Sequence, residues 1–216
     1  MKLHVRPVTL LAMALLGAVM LPRSEAKEHE MVIVALGDSL TAGYGLPQNE
    51  SFPAKLEAAL KKQDREVRVV NAGVSGDTAR AALARLDWAL PPDADAVIIE
   101  FGGNDALQGL PPAAIEASLA KIIEHVQAKG LPVLIAGMKS PRNMGQEYVT
   151  AFDSIYADLA ERYGAVLYPF FLDGVALDDG LMQEDGIHPN AKGVERIVEG
   201  ILPKVDELLA KVDAKG

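Results

Sequence analysis

Short apolar segments alternate with longer amphipathic segments from residue 31 to the end of the chain, and this alternation limits the folds it can adopt. The short segments are rich in valine and isoleucine and mostly lack the alternating polar residues of a half-exposed sheet. They lie at 31–36, 67–70, 96–101, 133–136 and 165–168. We therefore expect an α/β protein with a five-stranded parallel sheet covered by helices, with a flavodoxin-like strand order as the leading expectation.

The longer segments predict helices from their spacing of apolar residues. Residues 51–62 begin with a serine suited to capping, residues 113–129 end before Gly-Leu-Pro, and helical spacing returns near 148–159 and from 191 onward. Pro203 lies inside the last segment and should bend or split it. Because no repeat or linker interrupts the pattern, we predict a single domain over residues 27–216.

The N-terminal residues have the composition of an export signal. Lys2, His4 and Arg6 precede an uncharged, largely apolar run at 8–21, which is shorter than the ~20 residues of a transmembrane helix. Small residues near Ala26 offer a cleavage site. We predict a signal peptide at 1–26 and a periplasmic or secreted protein without stable membrane insertion after cleavage; a membrane-anchoring helix is the alternative.

Composition excludes several kinds of chemistry. The chain of 216 residues has no cysteine, so it cannot form a thiolate nucleophile, a cysteine-ligated zinc site or an iron–sulfur cluster. Its formal net charge of −9 disfavours nucleic acid as a partner. The sequence does not predict an oligomeric state.

Four polar segments carry the candidate chemistry. Residues 37–40 (GDSL), 73–77 (GVSGD) and 102–105 (GGND) follow the first three predicted strands, while residues 185–189 (DGIHP) precede the last helix. Since the carboxyl ends of parallel strands meet at one edge of a sheet, the first three segments should share a crevice. The fourth segment completes a hydrolytic centre if it reaches the same place.

A serine, a histidine and two kinds of hydrogen-bond donor are the parts of such a centre. The hydroxyl of Ser39 becomes a nucleophile when the imidazole of His188 takes its proton, and Asp185 can orient that imidazole. The glycine-rich segment can present a backbone N–H group, and the amide of Asn104 can donate to developing negative charge. Taken singly, each segment is also compatible with an ordinary turn or helix cap.

Taken together, the four segments resemble the blocks of the SGNH (GDSL) hydrolase family, and they look most similar to its bacterial thioesterase I, lysophospholipase and arylesterase subgroup. The resemblance covers essentially the whole mature chain. It is carried by GDSLTAGY at 37–44, NAGVSGDT at 71–78, GGND at 102–105 and DGIHP at 185–189. It implies a three-layer α/β/α sandwich with a flavodoxin-like sheet.

The resemblance also implies the role of each matching residue. Ser39 would be the nucleophile, His188 the base and Asp185 its orienting acid. The oxyanion donors would be the N–H groups of Ser39 and Gly76 and the side chain of Asn104. It further implies that no cofactor or metal is needed and that acyl esters, aryl esters, thioesters and lysophospholipids are substrates.

Two apolar loops are candidates for the substrate pocket. Leu107 and Leu110 lie in the loop at 106–112, and Met138 begins the loop at 138–144. Their apolar content suits an acyl chain or an aromatic group. Ordinary loop packing is the alternative explanation.

Two other functions remain open at this point. A metal-dependent phosphoesterase could use Asp38, Asn104, Asp185 and His188 as ligands, although the sequence has few histidines and no paired-ligand spacing. A non-catalytic module that binds acyl groups or carbohydrate is the second alternative.

Overall fold

The computed structural model describes Met1 and residues 30–214. The predicted signal peptide, apart from its first residue, lies outside the described residues.

A five-stranded parallel sheet forms the centre of the molecule, as predicted. The strand order is β2-β1-β3-β4-β5, which is the flavodoxin-like order. The strands are β1 Met31–Gly37, β2 Val67–Gly73, β3 Ala96–Glu100, β4 Val133–Ala136 and β5 Val166–Tyr168. Because β1 and β3 lie inside the sheet with helices on both faces, nearly all their residues are buried, which explains their unbroken apolar sequence.

Helices cover both faces of the sheet and complete three layers. Their bounds are α1 Ser39–Ala42, α2 Phe52–Lys61, α3 Ala79–Ala84, α4 Leu86–Ala89, α5 Gly103–Leu107, α6 Pro112–Ala128, α7 Gln146–Tyr163 and α8 Ala191–Asp213. Helices α2 and α8 pack together on one face, and α3, α6 and α7 pack in sequence on the other. Across the described residues, no helix combines the length and apolar character needed to cross a membrane.

The long helices bury the apolar stripes that their sequences predict. Helix α6 buries Ile115, Leu119, Ile122, Ile123 and Val126. The buried face of α8 runs from Gly193 to Leu209 in the same periodicity. These faces join the strands in one continuous hydrophobic cluster. Removal of this apolar surface from water is the main favourable contribution to folding.

One local prediction is wrong, and one of the two outcomes predicted for Pro203 does not occur. Ser51 precedes α2, but its hydroxyl donates to the carbonyl of Gln48 (2.8 Å) and caps no N–H group of the helix. Helix α8 continues through Pro203, so the proline does not split it. The N–H group that proline lacks would bond to the carbonyl of Glu199, and both residues face solvent. Water can therefore satisfy the released carbonyl.

The register of the sheet aligns the carboxyl ends of its three central strands. Gly37 at the end of β1 lies opposite Gly73 of β2 on one side and Glu100 of β3 on the other. From β1 the chain places β2 on one side, and it then returns to place β3 on the other side of β1. The strand order therefore reverses between β1 and β3. Such a point is where open α/β sheets form a ligand crevice.

Candidate active site

Ser39 begins the single-turn helix α1, directly after β1. The preceding residue, Asp38, caps this turn by accepting from the N–H of Leu40 (2.9 Å). Gly37 allows the turn to approach β3, because a Cβ atom at position 37 would collide with the side chains of Thr41 and Glu100. The turn therefore holds Ser39 at the end of β1, among the carboxyl ends of the central strands.

The loop before α8 brings His188 to the same edge. Met182 and Pro189 form an antiparallel bridge, and the N–H of Gln183 donates to the carbonyl of His188 (2.8 Å). The side chain of Gln183 donates to the carbonyl of Tyr44 (2.7 Å), just after the serine turn, and to that of Pro189 (3.0 Å). Gln183 thus ties the histidine loop to the segment that carries Ser39.

Ser39, His188 and Asp185 form a continuous chain of side-chain hydrogen bonds. The Ser39 Oγ lies 3.0 Å from Nε2 of His188, and Nδ1 of His188 lies 2.6 Å from Oδ2 of Asp185. Residues separated by 149 positions are therefore in direct contact. This arrangement allows the imidazole to accept the hydroxyl proton through Nε2 while Nδ1 donates to the carboxylate.

Backbone groups of its own loop fix the carboxylate of Asp185. Its Oδ1 accepts from the N–H groups of Ile187 (2.9 Å) and His188 (3.0 Å). These hydrogen bonds lower the pKa of Asp185 to about 2. The largest contribution comes from the backbone N–H of His188, the next from the His188 side chain, and a smaller one from the N–H of Ile187. The ring of Tyr44 packs against the imidazole with centroids 4.5 Å apart. Charge and packing together restrict the orientation of His188.

The other two predicted segments adjoin the serine turn. Asn104 lies in α5 and donates through Nδ2 to the carboxylate of Asp38 (3.1 Å) and to the carbonyl of Asp77 (2.9 Å). Gly76 lies in the turn after β2 with φ of 89° and is exposed. Within residues 30–214, no protein acceptor binds the backbone N–H of Gly76 or of Ser39. Both N–H groups are thus available to a ligand.

An ion pair that the sequence did not predict holds the turn after β2. Arg85 donates to the carboxylate of Asp77 (2.6 Å) and to the carbonyls of Ala72 (3.0 Å) and Gly37 (3.3 Å). It therefore joins the ends of β1 and β2 to the segment that carries Gly76. Arg85 follows a short helix and has no distinctive spacing, so only tertiary structure reveals its role.

Three buried carboxyl groups lie behind the serine turn. Asp38, Glu100 and Asp105 are each about 98–99% buried. Burial raises the pKa of Asp38 to about 6, against the opposing effects of the Leu40 N–H and of His188. Burial also raises the pKa of Asp105, whose carboxylate accepts from the N–H of Ala79 at the start of α3. Glu100 had a sequence signal, since it is an acid directly after a fully apolar strand segment.

An apolar cavity of about 420 Å³ opens next to Ser39 and Asn104. Leu107 and Met138, two residues predicted for the substrate, line it. Leu110 is not part of the lining: it packs partly buried against the core, and its carbonyl accepts from the hydroxyl of Tyr148 (2.8 Å). The sequence did not predict the remaining apolar lining residues, which include Phe170, Leu172, Leu177, Met182 and Ile187.

Known proteins share this sequence pattern and fold. The sequence model of the GDSL-like lipase/acylhydrolase family matches residues 35–196. Esterase TesA of Pseudomonas aeruginosa is 38% identical over 201 residues, which cover 93% of this chain and 98% of that protein. Thioesterase 1/protease 1/lysophospholipase L1 of Escherichia coli K12 is 37% identical over 178 residues, which cover 82% and 84%.

A solved structure supports the same assignment. The crystal structure of AlinE4, an esterase of the SGNH-hydrolase family, has a TM-score of 0.70 and 46% identity, and the match covers 83% of this chain and 96% of AlinE4. The family match covers most of the chain and includes all four polar segments. The chain therefore belongs to the GDSL-like lipase/acylhydrolase family, the SGNH hydrolases that its four polar segments resemble.

Proposed function

We propose that this protein is a serine-dependent carboxylic ester hydrolase that forms an acyl-enzyme on Ser39. The observation that carries the proposal is the hydrogen-bonded chain from Ser39 through His188 to Asp185, located at the mouth of an apolar cavity. The chain supplies a nucleophile and its base, and the cavity supplies space for an acyl group. Membership in a family of lipases and acylhydrolases supports the same reaction class.

Acylation would begin with attack of the Ser39 Oγ on the substrate carbonyl. His188 Nε2 accepts the hydroxyl proton as the new C–O bond forms, and the ionised Asp185 stabilises the resulting imidazolium. The same histidine then gives the proton to the departing alcohol or thiol. Water then gives a proton to His188 as it attacks the acyl-enzyme, and His188 returns that proton to the Ser39 Oγ as the C–O bond breaks and the acid leaves.

The oxyanion of each tetrahedral intermediate would be bound by the N–H groups of Ser39 and Gly76 and by the side chain of Asn104. The unbonded state of the two backbone N–H groups supports this role. Asn104 already donates to Asp38 and Asp77, so the oxyanion would share one of its N–H groups in a three-centre hydrogen bond. These existing bonds hold the amide in a fixed orientation before substrate arrives, as electrostatic stabilisation requires.

The substrate would be an ester or thioester with an apolar acyl or aryl group. The cavity walls are mainly apolar, Leu107 and Met138 line the same cavity as Asn104, and a cavity of about 420 Å³ falls in the range of ligand sites. Relatives named as esterase and as thioesterase/lysophospholipase support this substrate class. We assign substrate contacts to Leu107 and Met138 and omit Leu110.

The alternative functions lack comparable support. A metal-dependent phosphoesterase needs a cluster of ligating side chains, and the described residues contain no group of three histidine or acidic residues arranged to hold an ion. A non-catalytic binding module would not need the contact between a serine hydroxyl and an oriented imidazole. Neither alternative accounts for the hydrogen bonds around Ser39.

We extend the proposal to the organisation of the whole chain. Residues 27–216 would act as one hydrolase domain, and residues 1–26 as an export signal that delivers it to the periplasm or the medium. The N-terminal sequence of protein recovered from those compartments tests the second part. A mature chain that begins near residue 27 supports it, and an intact N-terminus contradicts it.

Hydrolysis of p-nitrophenyl butyrate tests the proposed reaction. Wild-type protein should hydrolyse this ester equally well with and without a chelator, and Ser39→Ala should lose activity by a factor of about 10⁴ or more. Ser118→Ala is the matched control, since that exposed hydroxyl bonds only to the carbonyl of Ala114 in its own helix. Loss of activity with chelator, or full activity of Ser39→Ala, would contradict the proposal.

A further inference from the structure

Glu100 is a buried acid that the proposed reaction does not use. It ends β3, is about 99% buried, and lies opposite Gly37 in the sheet register. An isolated carboxylate is costly in such a place unless it is paired or hydrogen-bonded. Its contacts therefore indicate which charge state the fold accommodates.

The two carboxyl oxygens of Glu100 have different surroundings. Oε2 accepts from the hydroxyl of Thr41 (2.8 Å) and, at 3.4 Å, from the backbone N–H of Asp38. Oε1 is buried and contacts no hydrogen-bond donor of the described residues. An oxygen that receives no hydrogen bond is a suitable place for the proton of a neutral carboxyl group.

The groups that face Glu100 favour this neutral form. Asp38 contacts it through the backbone, since the Asp38 N–H donates to Glu100 Oε2 (3.4 Å), and two carboxyl groups buried this close together disfavour ionisation of both. The hydroxyl of Tyr156 approaches from α7 and donates to the carbonyl of Phe101 (3.0 Å), and Asp105 lies nearby in α5. None of these groups is a cation, whereas the charge of His188 acts on Asp38 and lowers its pKa.

We propose that Glu100 is a positioning residue of the active site: it stays protonated at neutral pH and donates a hydrogen bond to an ionised Asp38, so that the two carboxyl groups hold one proton and one negative charge. This inference rests on the proposed function for its kinetic consequence. The protonation of Glu100 does not depend on which reaction the protein catalyses.

The direction of the pKa shifts agrees with this distribution of charge. Burial, followed by the charge of Asp38, raises the pKa of Glu100 well above its ordinary value. The hydrogen bond with Glu100 is among the interactions that lower the pKa of Asp38 against its burial. Both directions are those expected of a coupled pair in which Glu100 carries the proton.

An ionised Asp38 connects Glu100 to the reacting groups. Asp38 Oδ1 caps the turn of Ser39, and its Oδ2 accepts from the amide of Asn104, the proposed oxyanion donor. Glu100 also holds the same turn through Thr41 and the Asp38 N–H. Loss of these contacts would let the nucleophile and the oxyanion donor move apart, and a displacement of about 1 Å can cost up to about 100-fold in rate.

Kinetics of two variants test the positioning role. Glu100→Gln keeps an uncharged donor, so its kcat for p-nitrophenyl butyrate should stay within about threefold of wild type. Glu100→Leu removes every hydrogen bond, so its kcat should fall up to about 100-fold with KM nearly unchanged. If both variants lose activity equally, an ionised Glu100 is required and the proposal is wrong; if neither loses activity, Glu100 does not position the site.

The pH dependence of stability tests the protonation without any activity measurement. A raised pKa in the folded state means that the contribution of Glu100 to stability is complete below its unfolded pKa of 4.5 and is lost as pH rises toward the folded value. The Tm of wild type should therefore fall progressively below that of Glu100→Gln between pH 5 and pH 9. Glu207→Gln, an exposed acid paired with Lys204, should show no such divergence.

Different results would contradict the protonation of Glu100 and the proposed function. A Tm difference between wild type and Glu100→Gln that is constant with pH would overturn the protonated state of Glu100, whatever the enzyme hydrolyses. An inactive wild-type protein with the expected Tm divergence would instead overturn the proposed function and leave the proton assignment intact. If Glu100→Leu does not fold, Glu100→Gln and the pH series still decide the proposal.

Discussion

At the scale of single residues, Asp185 shows how the backbone prepares a side chain for chemistry. Two N–H groups of its own loop and the imidazole of His188 surround its carboxylate. All three interactions favour the charged form, so the pKa of Asp185 falls from 3.8 to about 2 although the carboxyl group is exposed to solvent. The imidazole therefore faces a carboxylate at any pH at which the enzyme is expected to work.

The first prediction concerns stability and pH at Asp185. Because its pKa is lower in the folded protein, Asp185 stabilises the fold above its unfolded pKa of 3.8, and this contribution is lost as pH falls toward 2. At low salt, the Tm advantage of wild type over Asp185→Asn should shrink between pH 5 and pH 3. Thermal unfolding monitored by circular dichroism measures it, and an advantage that does not change with pH would disprove the assigned shift.

The second prediction concerns Asn104. Asn104→Ala removes one proposed oxyanion donor and should lower kcat by about 100- to 1,000-fold with a much smaller change in KM. Steady-state kinetics with p-nitrophenyl butyrate measure both constants. Gln108→Ala, just after the same short helix, is the control and should keep wild-type kinetics. A loss confined to KM would show that Asn104 binds the ground state and not the oxyanion.

At the scale of secondary-structure elements, the loop before α8 is the least regular part that the mechanism needs. It reaches the serine turn mainly through the side chain of Gln183 and through the packing of Tyr44 on His188. Asn190 closes its other end by capping α8 and donating to the carbonyls of Gly180 and Met182. Backbone bonds hold the loop internally, and amide side chains attach it to its neighbours, so no regular strand or helix carries His188.

The third prediction tests this attachment. Gln183→Ala removes the bonds to the carbonyls of Tyr44 and Pro189, so the imidazole should be misplaced in part of the population and kcat should fall about 10- to 100-fold. Gln146→Ala is the matched control, because its amide bonds only to Thr150 one turn along α7. If Gln183→Ala retains full kcat, other contacts suffice to hold the loop.

The fourth prediction concerns the proline within α8. Pro203→Ala restores an N–H donor for the carbonyl of Glu199 and should raise the free energy of unfolding by about 1–3 kcal/mol, with part of the gain offset by a more flexible unfolded chain. Urea unfolding measures this change. Pro112→Ala, at the first position of α6 where proline fits, should give no gain. Equal effects of both substitutions would contradict the explanation.

At the scale of the whole molecule, the sequence predicts the architecture more completely than the supporting contacts. The strands follow from their short apolar sequences, and the interior strands β1, β3 and β4 are the most uniformly apolar because both of their faces are buried. The end of β2 extends to Gly73, three residues beyond its apolar part, because pairing with β1 and not hydropathy determines where it stops. Strand register and strand order are properties of the assembled sheet.

In the site, too, the supporting contacts were harder to predict from sequence than the reacting residues. Ser39, Asn104 and His188 could be predicted as one group, because their segments together resemble the blocks of a single family, although each segment alone is compatible with a turn or a helix cap. Arg85 and Gln183 could not, because apart from the carboxylate of Asp77 their partners are backbone carbonyl groups of distant segments, which carry no side-chain signal. Leu110 was predicted for the substrate from its loop, but helix α7 draws that part of the loop toward the core through Tyr148.

The fifth prediction addresses the central claim that distant segments activate one serine. Wild-type protein treated with a fluorophosphonate should gain a single adduct, which peptide mass spectrometry locates at Ser39. Ser39→Ala should gain none, and His188→Ala should react at least about 100-fold more slowly, because the hydroxyl lacks its base. An adduct on another residue, or equal labelling rates for wild type and His188→Ala, would contradict the account.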